Sequence, residues 1–315
     1  MTAPGTITRG FGRVRAGLPS VPPRRRRLYL FAYGFLAPIV ALFAFLRIFP
    51  ILYTVVLGFF NWSLVNPDHT FVGLDNFTNL LSDPNFQTAF LNTTIIAIGT
   101  TVVSIVLAFF VAAVVAYGGG KIGGLIEILF FLPVVTPLVP ATLGWRSILD
   151  YQHGLLNAIF GVFGIPNQAW TTDPTLAIVS VIMISVWAQV GYNMIILLVG
   201  MRSIPRLYYE AAAVDGASTW RQFRHVTFPL MVPILLFVTV ITTIQAYNVF
   251  TQVFVLASDV QGAPGYLVPV LVYDIFQNGF RYFNFGYAAA EAVYLFLVVI
   301  VLMLLQFRLF NRPTD

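Results

Sequence analysis

Long apolar runs bounded by short polar stretches divide this chain, and about 20 mainly apolar residues suffice for a helix to cross a hydrocarbon core. Six runs reach that length: 28 to about 60, 88–117, 125–149, 176–201, 228–257 and 285–310. The pattern predicts an all-α membrane protein with six transmembrane helices, and an even number places both termini on one side. The first run is over-long and holds Pro38, Arg47 and Pro50, so a bend or an extension along the interface is expected there. Pro133, Pro137 and Pro140 interrupt the third. Each removes an N–H donor, which gives either a packing kink or broken backbone lining a cavity.

The most polar interior stretch, 202–227, separates the fourth run from the fifth. Ser203 and Pro205 suit a helix start, since a side-chain oxygen caps free N–H groups and proline fits a first turn. Leu207, Glu210, Ala211 and Val214 then fall at i, i+3, i+4 and i+7, so one carboxylate sits on an otherwise apolar stripe of a short helix over 207–214. Asp215-Gly216 should end it, with glycine in the left-handed conformation. Thr219 and Gln222 have capping-box spacing for a second short helix.

Polar residues inside the spans are costly and therefore face other helices or a wet cavity. In the fourth run Ser185, Gln189, Tyr192 and Asn193 lie at i, i+4, i+7 and i+8; in the fifth, Thr242, Gln245, Asn248 and Gln252 follow a similar stripe. Neutral amides, hydroxyls and aromatic rings are the groups an uncharged hydroxylated solute requires. The competing reading is helix-helix adhesion through buried hydrogen bonds. Glu291 and Arg47 are the ionisable side chains placed farthest inside the runs.

Composition confirms the class: 58% of residues are hydrophobic and 9% charged, against roughly 25% charged in a soluble domain. The net charge of +5 raises nucleic-acid binding, but the positions of the basic residues point elsewhere. Residues 1–27 form a Gly-, Pro- and Arg-rich arm ending in Arg24 to Arg27, expected to be disordered and attracted to anionic lipid. With this arm inside, Lys121, Arg202, Arg206, Arg221, Arg224, Arg308 and Arg312 share its side, while Asp68, Asp75, Asp83, Asp150, Asp173, Asp259 and Asp274 face out beside Arg281. Lys and Arg near span ends stay inside, so both termini and the 202–227 loop are expected in the cytosol, with 311–315 as a short tail. Outer loops over 61–87, 150–175 and 258–284 carry Trp62, Trp170, Tyr266, Tyr273 and Tyr282, suited to an interfacial belt or to docking an external protein.

Enzyme chemistry finds no support. Gly118-Gly119-Gly120-Lys121 lacks the first-glycine spacing of a phosphate loop and has Ile122 at the metal-binding hydroxyl position. His69, His153 and His225 are scattered without zinc spacing, no Gly-x-Ser-x-Gly elbow occurs, and there is no cysteine. No catalytic or metal residue is assigned, and energy for pumping would have to come from a partner.

Glu210-Ala211-Ala212, Gly216 six residues after Glu210, and Val226-Thr227-Phe228-Pro229 after nine more resemble the signature loop of the permease subunits of binding-protein-dependent ABC importers. Val226 and Phe228 stand where isoleucine and leucine are usual. Tyr247-Asn248-Val249-Phe250 and Phe285-Gly286-Tyr287-Ala288-Ala289-Ala290 extend the likeness to the carbohydrate-uptake group of the maltose and glycerol-3-phosphate type. The resemblance implies a type I importer permease fold over 28–310 in a bacterial inner membrane. Its partners would be a second homologous permease, two copies of a cytosolic ATPase that uses ATP and Mg, and an extracytoplasmic solute-binding protein. No cofactor on this chain and no nucleic-acid partner are implied. Leu207, Glu210, Ala211, Val214, Asp215 and Gly216 would form the coupling helix that seats on the ATPase, and Gln189, Tyr192, Asn193, Gln245 and Asn248 would line part of a sugar passage. The alternative is a stand-alone ion-coupled transporter or channel built around Glu291 and the interrupted third span.

Overall fold

The computed structural model describes residues 23–65, 69–118, 120–257 and 268–310. Most of the basic arm, the 311–315 tail, Asp68, Asp259 and Tyr266 lie outside them. The chain divides into two compact units, 1–53 and 54–315.

In the first unit α1 (Pro23–Phe43) takes Arg24 to Arg27 into its opening turns and runs through Pro38. A π-helical turn, Ala44–Ile48, carries Arg47 and leads into α2 (Phe49–Leu57). That wider turn immediately precedes Pro50, whose missing N–H and bulky ring oppose regular helix. The expected irregularity of the first span is thus a local widening, and Arg26–Leu57 remains one apolar stretch.

In the second unit a two-residue antiparallel ribbon, β1 (Phe60–Asn61) with β2 (Thr70–Phe71), is the small exception to the all-α expectation. Asn76 of α3 (Asp75–Ser82) ties it down by donating to the carbonyls of Gly58 and Phe60 at 2.9 and 3.0 Å. The long helices are α4 (Pro84–Gly118), α8 (Pro174–Ser203), α11 (Phe228–Tyr247) and α14 (Phe285–Phe310). Among the described residues five stretches are long and apolar enough to cross a membrane, and a broken pair makes up to six. That pair is α5 (Gly120–Val135) and α6 (Leu138–Ile148), bent by 105°. The third run therefore breaks at Thr136-Pro137 instead of kinking: Pro137 supplies no N–H for a continuing helix and disfavours helical geometry in the residue before it.

Small residues let the helices approach. Ala108 and Ala112 of α4, one turn apart, pack on Met194 and Leu197 of α8 with Met231 of α11, the small-residue contact common between membrane helices. Gly191 of α8 lies so close to α5 that an added Cβ would stand 1.8 Å from the Phe130 carbonyl oxygen. At the other end of α8, Asp173 caps the helix by accepting from the backbone N–H of Thr175 and Leu176, with Pro174 in the first turn.

Short elements close the end of the unit that carries the ribbon. They are α7 (Leu155–Val162), α12 (Thr251–Ala257), which lies against α6 and α8, and α13 (Leu271–Phe276) with a π turn Gln277–Arg281. Trp170 is buried there, not exposed in an interfacial belt, and donates its ring N–H to Asn157 at 2.9 Å. Tyr273 is buried too.

Gly191→Ala should destabilise the protein by about 1–3 kcal/mol, because a methyl group has no room against a backbone oxygen. Gly144→Ala, with nothing within 4 Å of the new atom, should be neutral or slightly stabilising. Thermal unfolding of the two variants in detergent distinguishes these outcomes.

Candidate functional site

At the end of the unit opposite the ribbon, α8 leads through Ile204-Pro205 into α9 (Arg206–Val214). The Ser203 hydroxyl donates back to the Gly200 carbonyl at 2.7 Å and leaves the capping position to Pro205, which has no side-chain bond to offer. The expected serine cap is thus corrected: Ser203 still belongs to α8. Gly216 sits at φ +73°. The Ala217 N–H bonds the Ala212 carbonyl and the Gly216 N–H bonds that of Ala213, which is a Schellman closure. The following cap is one residue earlier than expected. Ser218, not Thr219, accepts from the Arg221 N–H, and Gln222 donates to the Ala217 carbonyl at 3.2 Å. Helix α10 (Thr219–Gln222) and a π turn, Phe223–Thr227, then lead into α11.

The predicted stripe faces outward as a set. Leu207, Glu210, Ala211, Val214, Asp215 and Gly216 are all exposed, Val214 at 88%. Tyr209 and Ala212, three residues apart, form the half-buried inner face. The closed helix end thus carries a bare apolar stripe with one carboxylate. The approach to the loop is braced by Arg202, which pairs with Glu127 of α5 at 2.6 Å.

The two polar stripes separate into buried and open groups. Asn193 is 2% exposed: its amide donates to Ser104 of α4 at 3.2 Å, and its oxygen accepts from Thr242 of α11 at 3.1 Å. Gln252 likewise donates to Ser185 at 3.2 Å. These contacts hold helices together. Tyr192, 41% exposed, and Gln245 and Asn248 present exposed side chains, Asn248 donating to the Ile244 carbonyl of α11 at 2.7 Å, while Gln189 is half-buried with a side-chain oxygen that has no donor among the described residues. Asn193 is adjacent to Tyr192 in sequence but about 100° around the helix.

Near the ribbon a polar cavity of about 250 Å³ is lined by Asp83, Asp274, Gln277 and Asn278. Burial raises the Asp274 carboxyl above the usual carboxylate range, and nearby Asp83 adds to the effect. Glu291, two turns into α14, is fully buried and accepts the Asn278 amide at 3.0 Å. No group of three or more metal-ligating side chains occurs among the described residues.

A chain of long apolar helices with a short exposed helix at one end and open polar positions along its spans defines a multi-span subunit of a membrane transport system. Residues 104–314 match the family of binding-protein-dependent transport system inner membrane components, and the chain belongs to it. It is a multi-pass inner-membrane protein. It is 32% identical over 286 residues to the probable ABC transporter permease protein YurN of Bacillus subtilis, covering 90% of this chain and 97% of that one. With the lactose transport system permease protein LacF of Rhizobium radiobacter it shares 32% over 276 residues, 87% and 91% of the two chains. The sn-glycerol-3-phosphate transport system permease protein UgpA of Pectobacterium atrosepticum is 32% identical over 247 residues, 78% and 82%. The fold matches a chain in the crystal structure of a bacterial ABC transporter for alginate import at a TM-score of 0.80, with 20% identity over 93% of this chain and 99% of that one. The type I importer permease fold is thereby established.

Asn193→Ala should cost about 0.6–2 kcal/mol, the range for hydrogen bonds between membrane helices, and lower the melting temperature in detergent. Tyr192→Ala should leave the stability within about 0.5 kcal/mol of the parent, as exposed substitutions do, and raise the solute concentration for half-maximal uptake.

Proposed function

We propose that this chain is the permease subunit of an ATP-driven importer for a sugar or related polyhydroxylated solute, with α9 as its coupling helix. The observation that carries the reading is the outward stripe of Leu207, Glu210, Ala211 and Val214, closed by Gly216 at positive φ, between the two spans that hold the open polar side chains. The relatives named for lactose and glycerol-3-phosphate transport support the solute class, as do the neutral amides and the ring at Gln189, Tyr192, Gln245 and Asn248, which match hydroxyl groups and C–H faces. Asn193 braces this wall from behind. Partners in this reading are a second homologous permease, two cytosolic ATPase copies that bind the ATP and Mg, an extracytoplasmic solute-binding protein and membrane lipid. The alginate transporter, crystallised with a pentasaccharide-bound periplasmic protein, supports the last protein partner. The charge asymmetry of the sequence supports a cytosolic side for α9 and both termini in this reading.

The mechanism is differential binding. ATP closure of the two ATPases changes the distance between the seats of the coupling helices, and each permease follows because its helix ends are packed too tightly to deform. The cavity opens to one side or the other according to which arrangement the seats favour.

Gly216→Trp places a Cβ at φ +73°, a conformation costing an L-residue about 1–2 kcal/mol, and distorts the closure of α9. In vesicles holding the whole complex, solute uptake should fall at least about tenfold, equivalent to about 1.4 kcal/mol, with the permease still inserted. Normal uptake by this variant contradicts the coupling role. Uptake that needs no ATP and stops at once with a proton uncoupler moves the assignment to an ion-coupled transporter.

A further inference from the structure

On the inner face of α9 the Tyr209 hydroxyl shares a hydrogen bond with the Thr227 hydroxyl at 3.0 Å and also interacts with the Tyr117 hydroxyl. Thr227 is fully buried at the end of the π turn, and its oxygen also meets the Tyr117 hydroxyl, from the last turn of α4, at 2.5 Å. One hydroxyl thus joins three elements: α9, the start of α11 and the end of α4. A hydroxyl has one donor and two acceptor positions, so Thr227 can hold both tyrosines at once. Beside it Phe223 and Phe228 pack on Phe109 with ring centroids 5.8 and 6.2 Å away.

The π turn adds a constraint. The Phe228 N–H reaches the carbonyl of Phe223, one residue farther back than in an α-helix. Relaxing that turn to α geometry would shift the phase of Thr227 by about 100° and carry its hydroxyl off both tyrosines. In this structure the junction is made with the turn in its π form. π turns of this kind recur at functional sites.

We propose that Thr227 is the positioning residue that makes movement of the coupling helix α9 movement of α4 and α11, through its shared hydroxyl contact with Tyr209 and Tyr117. The proposal rests on the coupling role of α9. It places the working linkage on the face of α9 opposite the one that meets the ATPase, at a position the signature pattern leaves open between Val226 and Phe228.

The test uses the complete complex from native membranes in vesicles and reads solute taken up per ATP hydrolysed, which a loss of folded protein alone does not change. T227V keeps the shape and deletes the hydroxyl; T227S keeps the hydroxyl. The ratio should fall about five- to tenfold in T227V, the low end of couplings between sites, stay near the parent in T227S, and fall no further when Y209F is added to T227V. An unchanged ratio in T227V beside an uncoupled Gly216→Trp overturns the proposal and leaves the role of α9 intact. Unchanged ratios in both remove the coupling role itself and the proposal with it. Should T227V not assemble, Y209F decides: an unchanged ratio there overturns the proposal.

Discussion

Hydrocarbon offers no hydrogen-bond partner, so every polar group placed in it must find one inside the protein or beside a water-filled space. This constraint accounts for the helices, and it also sorts the polar side chains. Asn193 satisfies both ends of its amide on Ser104 and Thr242; Tyr192, Gln245 and Asn248 do not sit in such a clasp and lie open. The same rule gives meaning to the 105° break between α5 and α6, because interrupted backbone is sustained only where protein or water replaces the lost bonds.

Close packing turns this arrangement into a mechanical one. Gly191 admits the Phe130 carbonyl to a distance no side chain allows, and Gly200 leaves room for the side-chain ends of Met231 and Ile234. Helices in contact at that range move as blocks, and a displacement applied at one end reaches the other without being absorbed. The hydroxyl junction at Thr227 and the ion pair of Arg202 with Glu127 attach the α9 loop to these blocks. The exposed stripe of α9 is left uncovered.

What was legible in the chain was whatever depends on local order. Run length marked five spans and the broken sixth, and the glycine six residues after Glu210 marked the left-handed stop of α9. Signals that depend on distant partners were not legible. Tyr192 and Asn193 share one polar stripe by spacing, and only the distant partners Ser104 and Thr242, 89 and 49 residues away, separate them. Trp170 has an interfacial composition, yet Asn157 draws it into the core. Ser203 and Thr219 were reasonable caps by type, but α8 runs on to include the first, and Ser218 takes the role of the second. Nothing local distinguishes Thr227, since its partners lie 110 and 18 residues away.

The central claim is that the bare face of α9 belongs in a cleft of a separate ATPase. The most direct measurement is mass spectrometry of what co-purifies with this chain from gently solubilised native membranes, for the parent and for a variant with Glu210 and Gly216 replaced. Recovery of an ABC ATPase and a second multi-span permease with the parent, and loss of the ATPase alone from the variant, is the predicted result. Recovery of the chain by itself, still competent for uptake without ATP, would contradict the account.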